Sequence, residues 1–305
     1  MKNPYSYCLY IFLAILPSGF LHAQGCSDAG FCTVNSLKPQ NVNDSISVQK
    51  NQIKVGFSYG KADHSVSAYS QYLEYNRQIN SKFGISAKAT SLLQTGNNVS
   101  VFGLSDIYLN TNYHLDKNFT FTLGTKIPLT TGNKFNNGNP LPMDYQSSLG
   151  TLDLIAGIGY QIKKLQLVAA LQQPLTQNKN QFTAENYPIN SVWRDFQTAK
   201  DFKRSGDVLL RASYPIKITD KFQLTPSLLN IYHLSKDKFT NSSGSQQQIE
   251  GSEGLTMNGN LFLDYQLNET NALQLNAGVP FLVRDIRPDG LTRSFIANLE
   301  YNFKF

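Results

Sequence analysis

The chain has 305 residues, of which 41% are hydrophobic and 12% aromatic but only 16% charged, with a formal net charge of +6. Its 27 Lys and Arg are scattered rather than gathered into one block, which argues against a nucleic-acid surface. The His and Cys residues show no metal-ligand spacing, so neither a metal nor any other cofactor is expected.

In chain order, "MKNPYSYCLYIFLAILPSGFLHAQGC" carries Lys2, an apolar run from Leu9 to Leu16 and a small residue at Ala23. This predicts a secretory signal over 1–23, since the run is short for a membrane span. A second reading takes "AQGC" as a lipoprotein signal with Cys26 as the lipidated residue. Removal of the leader leaves Cys26 and Cys32 in "GCSDAGFC", and two cysteines in an exported chain suggest a small disulfide loop. That loop belongs to a periplasmic segment over 24–50, as a docking knob or a partial plug.

From position 51 to 305 the apolar period is two. Series begin at Ile53, Leu73, Phe83, Ile107, Phe119, Leu152, Leu165, Val208, Phe222, Leu261, Leu273 and Phe295. No comparable segment has helical period, so the fold class is all-β with about twelve strands, long enough to cross a membrane at a tilt. Pro226 predicts a bulge and a change of phase in the ninth strand. "NSK", "DKN", "KK", "KITDK" and "NET" are tight turns. They alternate with "KADHSVS", "QTGNNVS", three long stretches and "RDIRPDG". Turns at one end and loops at the other are the parity of a closed up-and-down barrel, whereas a Greek-key sandwich mixes them.

One face of these strands is Leu, Ile, Val, Phe, Tyr and Ala. The other carries Lys54, Glu74, Lys88, Asp106, Lys126, Asp153, Arg211, Asp264 and Glu300. Strand number, leader and an aromatic final strand favour the apolar face outward, toward outer-membrane lipid. The last stretch, "SFIANLEYNFKF", resembles the C-terminal signal of bacterial outer-membrane barrels, which implies recognition by the barrel-assembly machinery. "GLSDIYLNTNYHLDKNFTFTLGTKIPLTTGN", Gly103 to Asn133, resembles a hairpin of the outer-membrane transporter group of phenol meta-pathway and fatty acid transporters. The resemblance covers about a third of the chain and implies a transport barrel.

Lys88, Asp106, Lys126, Asp153 and Arg211 are the candidate constriction of a narrow lumen, which would filter small solutes; alternatively they are ion pairs that hold barrel shape. Trp193 and Arg194 are candidate ligand contacts at the mouth, in a loop that otherwise folds over and buries its own aromatics. "DHSVS", with His64 and Ser65 or Ser67, is the one pairing a surface lipid hydrolase could use, but adjacent residues of an extended chain point apart. The expected function is therefore non-enzymatic passage of small hydrophobic or aromatic solutes across the outer membrane. A binding or assembly barrel without transport is the alternative.

Overall fold

Alternation at period two sends successive side chains to opposite faces of a strand. Each of the twelve alternating series forms one in the computed structural model, which describes residues 34–39, 50–290 and 295–305. The leader, Cys26 and Cys32 lie outside the described residues.

The β elements are β1 (Asn51–Lys61), β2 (Ser67–Gln78), β3 (Phe83–Gly96), β4 (Val99–His114), β5 (Phe119–Pro128), β6 (Phe135–Asn136), β7 (Asn139–Pro140), β8 (Asp153–Ile162), β9 (Leu165–Pro174), β10 (Asp207–Ser213), β11 (Ile216–Lys217), β12 (Phe222–His233), β13 (Lys238–Thr240), β14 (Gln246–Gln248), β15 (Gly254–Gln266), β16 (Asn271–Leu282) and β17 (Phe295–Lys304). Twelve of them are long and lie in the ring order β10-β9-β8-β5-β4-β3-β2-β1-β17-β16-β15-β12, all antiparallel. Pairing of β10 with β12 closes the ring, so the barrel has no free edge. The short pairs β6/β7 and β13/β14 are hairpins within long connections.

The apolar face is the outer one. Val55, Leu73, Leu123 and Leu299 are all more than half exposed, at 52%, 56%, 57% and 52%, while Lys54, Glu74, Lys88, Lys126 and Glu300 are buried inside. An apolar belt around a closed barrel suits a hydrocarbon solvent, because every backbone group it presents is already paired. Near the tight-turn end the belt is aromatic. Phe119 stacks on Tyr160 at 4.3 Å and Phe222 meets Tyr265 in a tilted contact at 5.2 Å, each pair directly opposite in register. Tyr301, Phe303 and Phe305 join this rim, and Phe305 exchanges main-chain hydrogen bonds with Asn51 at 2.9 and 3.1 Å.

Three expectations are corrected. "QTGNNVS" is not a loop: β3 and β4 run on to a two-residue turn in which Asn97 and Asn98 both have positive φ, 49° and 60°. That conformation matches strand twist, and the prolonged strands place Val99 and Val101 against the loops above the barrel. Connection length therefore does not alternate strictly. Pro226 causes no change of phase, since β12 keeps unbroken register with β15 from Phe222 to His233. Its missing N–H falls beside the break between β10 and β11, where Tyr214 still donates to the Pro226 carbonyl at 3.1 Å. Bulges lie instead between β15 and β16, at Met257/Asn258, and between β3 and β4, where Thr90 Oγ1 donates to the Asp106 carbonyl at 3.0 Å and Asp106 turns inward.

Candidate functional site

Strand parity points the charged residues into the lumen, where burial requires that they be paired. Lys126 Nζ lies 2.8 Å from Asp153 Oδ2 and donates to Thr151 Oγ1 at 3.0 Å. Asp106 accepts from Ser148 Oγ at 2.6 Å and from Ser105 Oγ at 3.0 Å. Glu300 is held by Lys54 and Lys38, each at 3.1 Å, and accepts from the Tyr72 hydroxyl. Lys88 Nζ sits 3.7 Å from the centre of the Tyr72 ring, a cation–π contact, and 4.0 Å from Glu74. The structure thus brings Lys126, Asp153 and Asp106 into one part of the wall and Lys88 into another, with Arg211 in a third setting.

Arg211 donates to the carbonyl of Leu37. Residues 34–39, which fall in the segment assigned by sequence to the periplasm, lie within the lumen. Asn35 accepts from Lys54 on β1 at 2.8 Å, Ser36 accepts from Thr122 on β5 at 2.9 Å, and Lys38 reaches Glu300 on β17. With Arg211 on β10, these anchors are spread around the ring. Val34 and Leu37 pack on an apolar strip of inward residues: Tyr108, Ile155, Ala170, Leu209, Leu229 and Ile231. Gly157 makes room there: a Cβ would stand 2.8 Å from a Leu37 methyl, so a larger residue would push Leu37 aside.

Period-two reasoning missed this strip. Its signal is present where apolar residues occupy both faces, as in Leu154-Ile155, Val208-Leu209-Leu210 and Leu228-Leu229.

At the long-loop end, connections close over the barrel. Tyr145, Phe182, Tyr187, Trp193 and Phe196 form an aromatic cluster, with Trp193 centred 5.5 Å from Phe196 and 5.8 Å from Tyr145. Trp193 and Arg194 lie on one 3-10 turn, and Arg194 Nε donates to the Tyr187 carbonyl at 2.9 Å. Both serve packing within the lid and stand apart from the charged wall. His64 lays its ring on Phe196, 4.5 Å between centres, and Ser65 beside it has φ 61°.

Beneath the lid, His233 presents Nδ1 to Asp207 at 2.7 Å and Nε2 to Asp237 at 2.8 Å. Arg204 contacts Asp207 at 2.5 Å and Asp289 at 3.5 Å, and Arg284 reaches Asp289 at 3.3 Å. All six side chains are buried. Burial alone pushes the Arg204 guanidinium down, but the carboxylates of Asp207, Asp289, Asp237 and Asp153 outweigh it and hold the group above its ordinary value. On the same cap, burial together with Asp63 and Asp289 pushes the Asp144 carboxyl up to about 7, against the opposing Arg287. Sequence analysis did not select these residues, which the fold gathers from the ends of β10 and β12 and from separate connections.

The barrel architecture has known counterparts. The COG4313 outer membrane channel from Pseudomonas putida F1 is similar at 13% identity with a TM-score of 0.58, over 85% of this chain and 97% of that one. The NanC porin aligns at 11% identity and a TM-score of 0.45, over 83% and 98% of the two chains. The KdgM porin aligns at 8% and 0.42, over 83% and 99%. No family model matches the chain, and no curated protein matches it. At these identities the likeness is one of fold: a closed antiparallel twelve-stranded barrel built like an outer-membrane channel.

Proposed function

We propose that the protein is an outer-membrane channel for small hydrophobic or aromatic solutes, closed at rest by residues 34–39. The observation that carries this reading is the contiguous apolar strip inside a lumen lined mainly by polar side chains, occupied by Val34 and Leu37. A barrel whose interior served only its own stability would need no apolar surface of this kind, because lumen polar groups can pair with one another. Here the strip forms a surface on which an apolar solute can replace Leu37. The paired charges Lys88, Asp106, Lys126 and Asp153 border it and disfavour free passage of ions, while Arg211 loses its contact with Leu37 when the segment moves.

The proposal includes export by the 1–23 leader, a Cys26–Cys32 loop in the 24–50 segment, insertion into outer-membrane lipid and delivery by the barrel-assembly machinery through β17. Trp193 and Arg194 act in it as parts of the lid, which a solute passes before it reaches the strip.

The test is single-channel conductance of the refolded mature protein in a planar bilayer, with residues 34–39 intact or replaced by a Gly/Ser stretch. Rare openings in the intact protein and sustained steps in the replaced one are expected. Silence in both, with heat-modifiable barrel migration retained, would overturn the channel reading in favour of a barrel that binds without transport. In the conducting form, Arg211→Ala should change ion selectivity, and unchanged selectivity would remove Arg211 from the passage.

A further inference from the structure

Across the lumen from the apolar strip, four asparagines face inward with amide atoms that have no hydrogen-bond partner. Asn258 and Asn260 on β15 are buried, at 0% and 6% exposure, and lack a partner for both Nδ2 and Oδ1. Asn276 on β16 and Asn298 on β17 lack one for Oδ1. Buried amides are ordinarily paired, and a concentration of unpaired ones marks a place where something else supplies the bonds.

Register assembles them into one surface. Asn276 lies directly opposite Asn298, and Asn260 lies on the diagonal to Asn276. The residue opposite Asn260 is Gly278, where a Cβ would stand 2.5 Å from the Asn260 oxygen, so the amide lies flat over the neighbouring strand. The other inward neighbours in register are Ser227, Phe262, Ser58 and Ile296, all uncharged. In the twelve-strand ring, β17 stands six places from β8 and β15 six places from β4. The amide surface therefore faces Ile155 and Tyr108, and it meets the apolar strip edge to edge where Asn258 pairs in register with Leu229.

We propose that this amide surface is a binding site for neutral hydroxylated solutes whose other face is apolar. An Asn side chain offers a donor and an acceptor side by side, which is the complement of a hydroxyl group. The nearest charge, Glu300 two residues along β17, is already matched by Lys54 and Lys38, so an ionic solute would bring a charge with no partner left to compensate it in the barrel interior. The apolar wall opposite takes up the carbon skeleton once the solute replaces Val34 and Leu37 there, so the lumen reads both faces of one small molecule. The inference rests on the lumen as the route of small solutes and narrows which ones.

The test uses two neutral probes of similar size, cis-cyclohexane-1,2-diol and cyclohexanone, titrated against the detergent-solubilised full chain by saturation-transfer NMR. The diol is expected to bind about tenfold more tightly than the ketone, which has one acceptor and no hydroxyl. In the double variant Asn258→Leu, Asn260→Leu, diol affinity should fall about tenfold while ketone affinity changes by less than about twofold. Both substitutions keep the forked shape of the side chain and remove unpaired amides, so the barrel should fold as before, which heat-modifiable migration checks.

Equal binding of the two probes by the unaltered protein, or a diol affinity untouched by the double variant, would mean that the amides hold water alone and would overturn the proposal. Discriminating binding in a barrel that never conducts would sink the channel reading and leave this site standing. A conducting barrel with no discrimination would do the reverse.

Discussion

The Arg211 guanidinium on β10 donates to the main-chain carbonyl of Leu37, a residue 174 positions earlier in the chain. A buried cation thus fastens the segment that lies within the lumen, while the Leu37 side chain is seated on Ile155, Leu209 and Leu229. The anchor is polar and the seat is apolar, so the two can be weakened separately.

Weakening the seat is the first prediction. Leu37→Ala removes a buried side chain, which costs about 2 kcal/mol or more in a packed site. The barrel does not depend on it, so the loss falls on docking of 34–39. Limited proteolysis should cut near residue 37 in the variant, with heat-modifiable migration unchanged. Equal protection in both proteins would show that the polar anchors alone hold the segment.

His233 holds two carboxylates at once, and the buried set of Arg204, Arg284 and His233 against Asp207, Asp237 and Asp289 balances when both ring nitrogens carry protons. Replacing His233 with Ala leaves Asp207 and Asp237 short of a partner, at about 3–5 kcal/mol for a broken buried pair. Loops 175–206 and 234–253 should then come loose, seen as faster hydrogen exchange in those connections with strand protection retained. Exchange that stays slow there would mean the arginines suffice.

Asp144 should make lid stability depend on pH. Its folded value of about 7 stands above the ordinary 3.8, so the folded lid prefers the neutral acid. The contribution is fully present below about pH 4, declines as pH rises toward 7, and is constant above that. Hydrogen exchange of residues 141–146 should speed up over that window, and Asp144→Asn should flatten the dependence. A variant with the same pH profile as the parent would place the titration elsewhere.

Lys126 and Asp153 form an ion pair at 2.8 Å with both side chains buried. Lys126→Met alone should destabilise the barrel by about 3–5 kcal/mol, because it strands a buried carboxylate. Adding Asp153→Leu should recover much of that loss, as read by the temperature at which the heat-modifiable gel shift occurs. Additive losses would argue that the two residues stabilise the wall through separate contacts.

Much of the fold was legible before any coordinates. Ile53-Val55-Phe57-Tyr59 and the eleven series after it predicted strands that are all present, and the even count agreed with closure of β10 on β12. The candidate wall residues were legible for the same reason, since parity alone puts Lys88, Lys126, Asp153 and Arg211 on the face opposite to Leu, Ile and Phe. Pro226 was misjudged because a missing N–H matters only if the adjoining strand demands it, and β10 has already stopped at that level. Asn97-Asn98 was misjudged because a strand that leaves the membrane need not stop there.

By itself the sequence determined strand number, strand direction and the two faces of the wall, because a period of two is a local property that each segment displays alone. Only the tertiary structure decided what fills and covers the barrel. Leu37 on Gly157, His233 between Asp207 and Asp237, and Trp193 against Tyr145 are meetings of distant segments, and no periodicity encodes them. They form because buried charges, amides and apolar side chains must each find a complement inside a closed wall, and the closed wall decides which candidates are within reach.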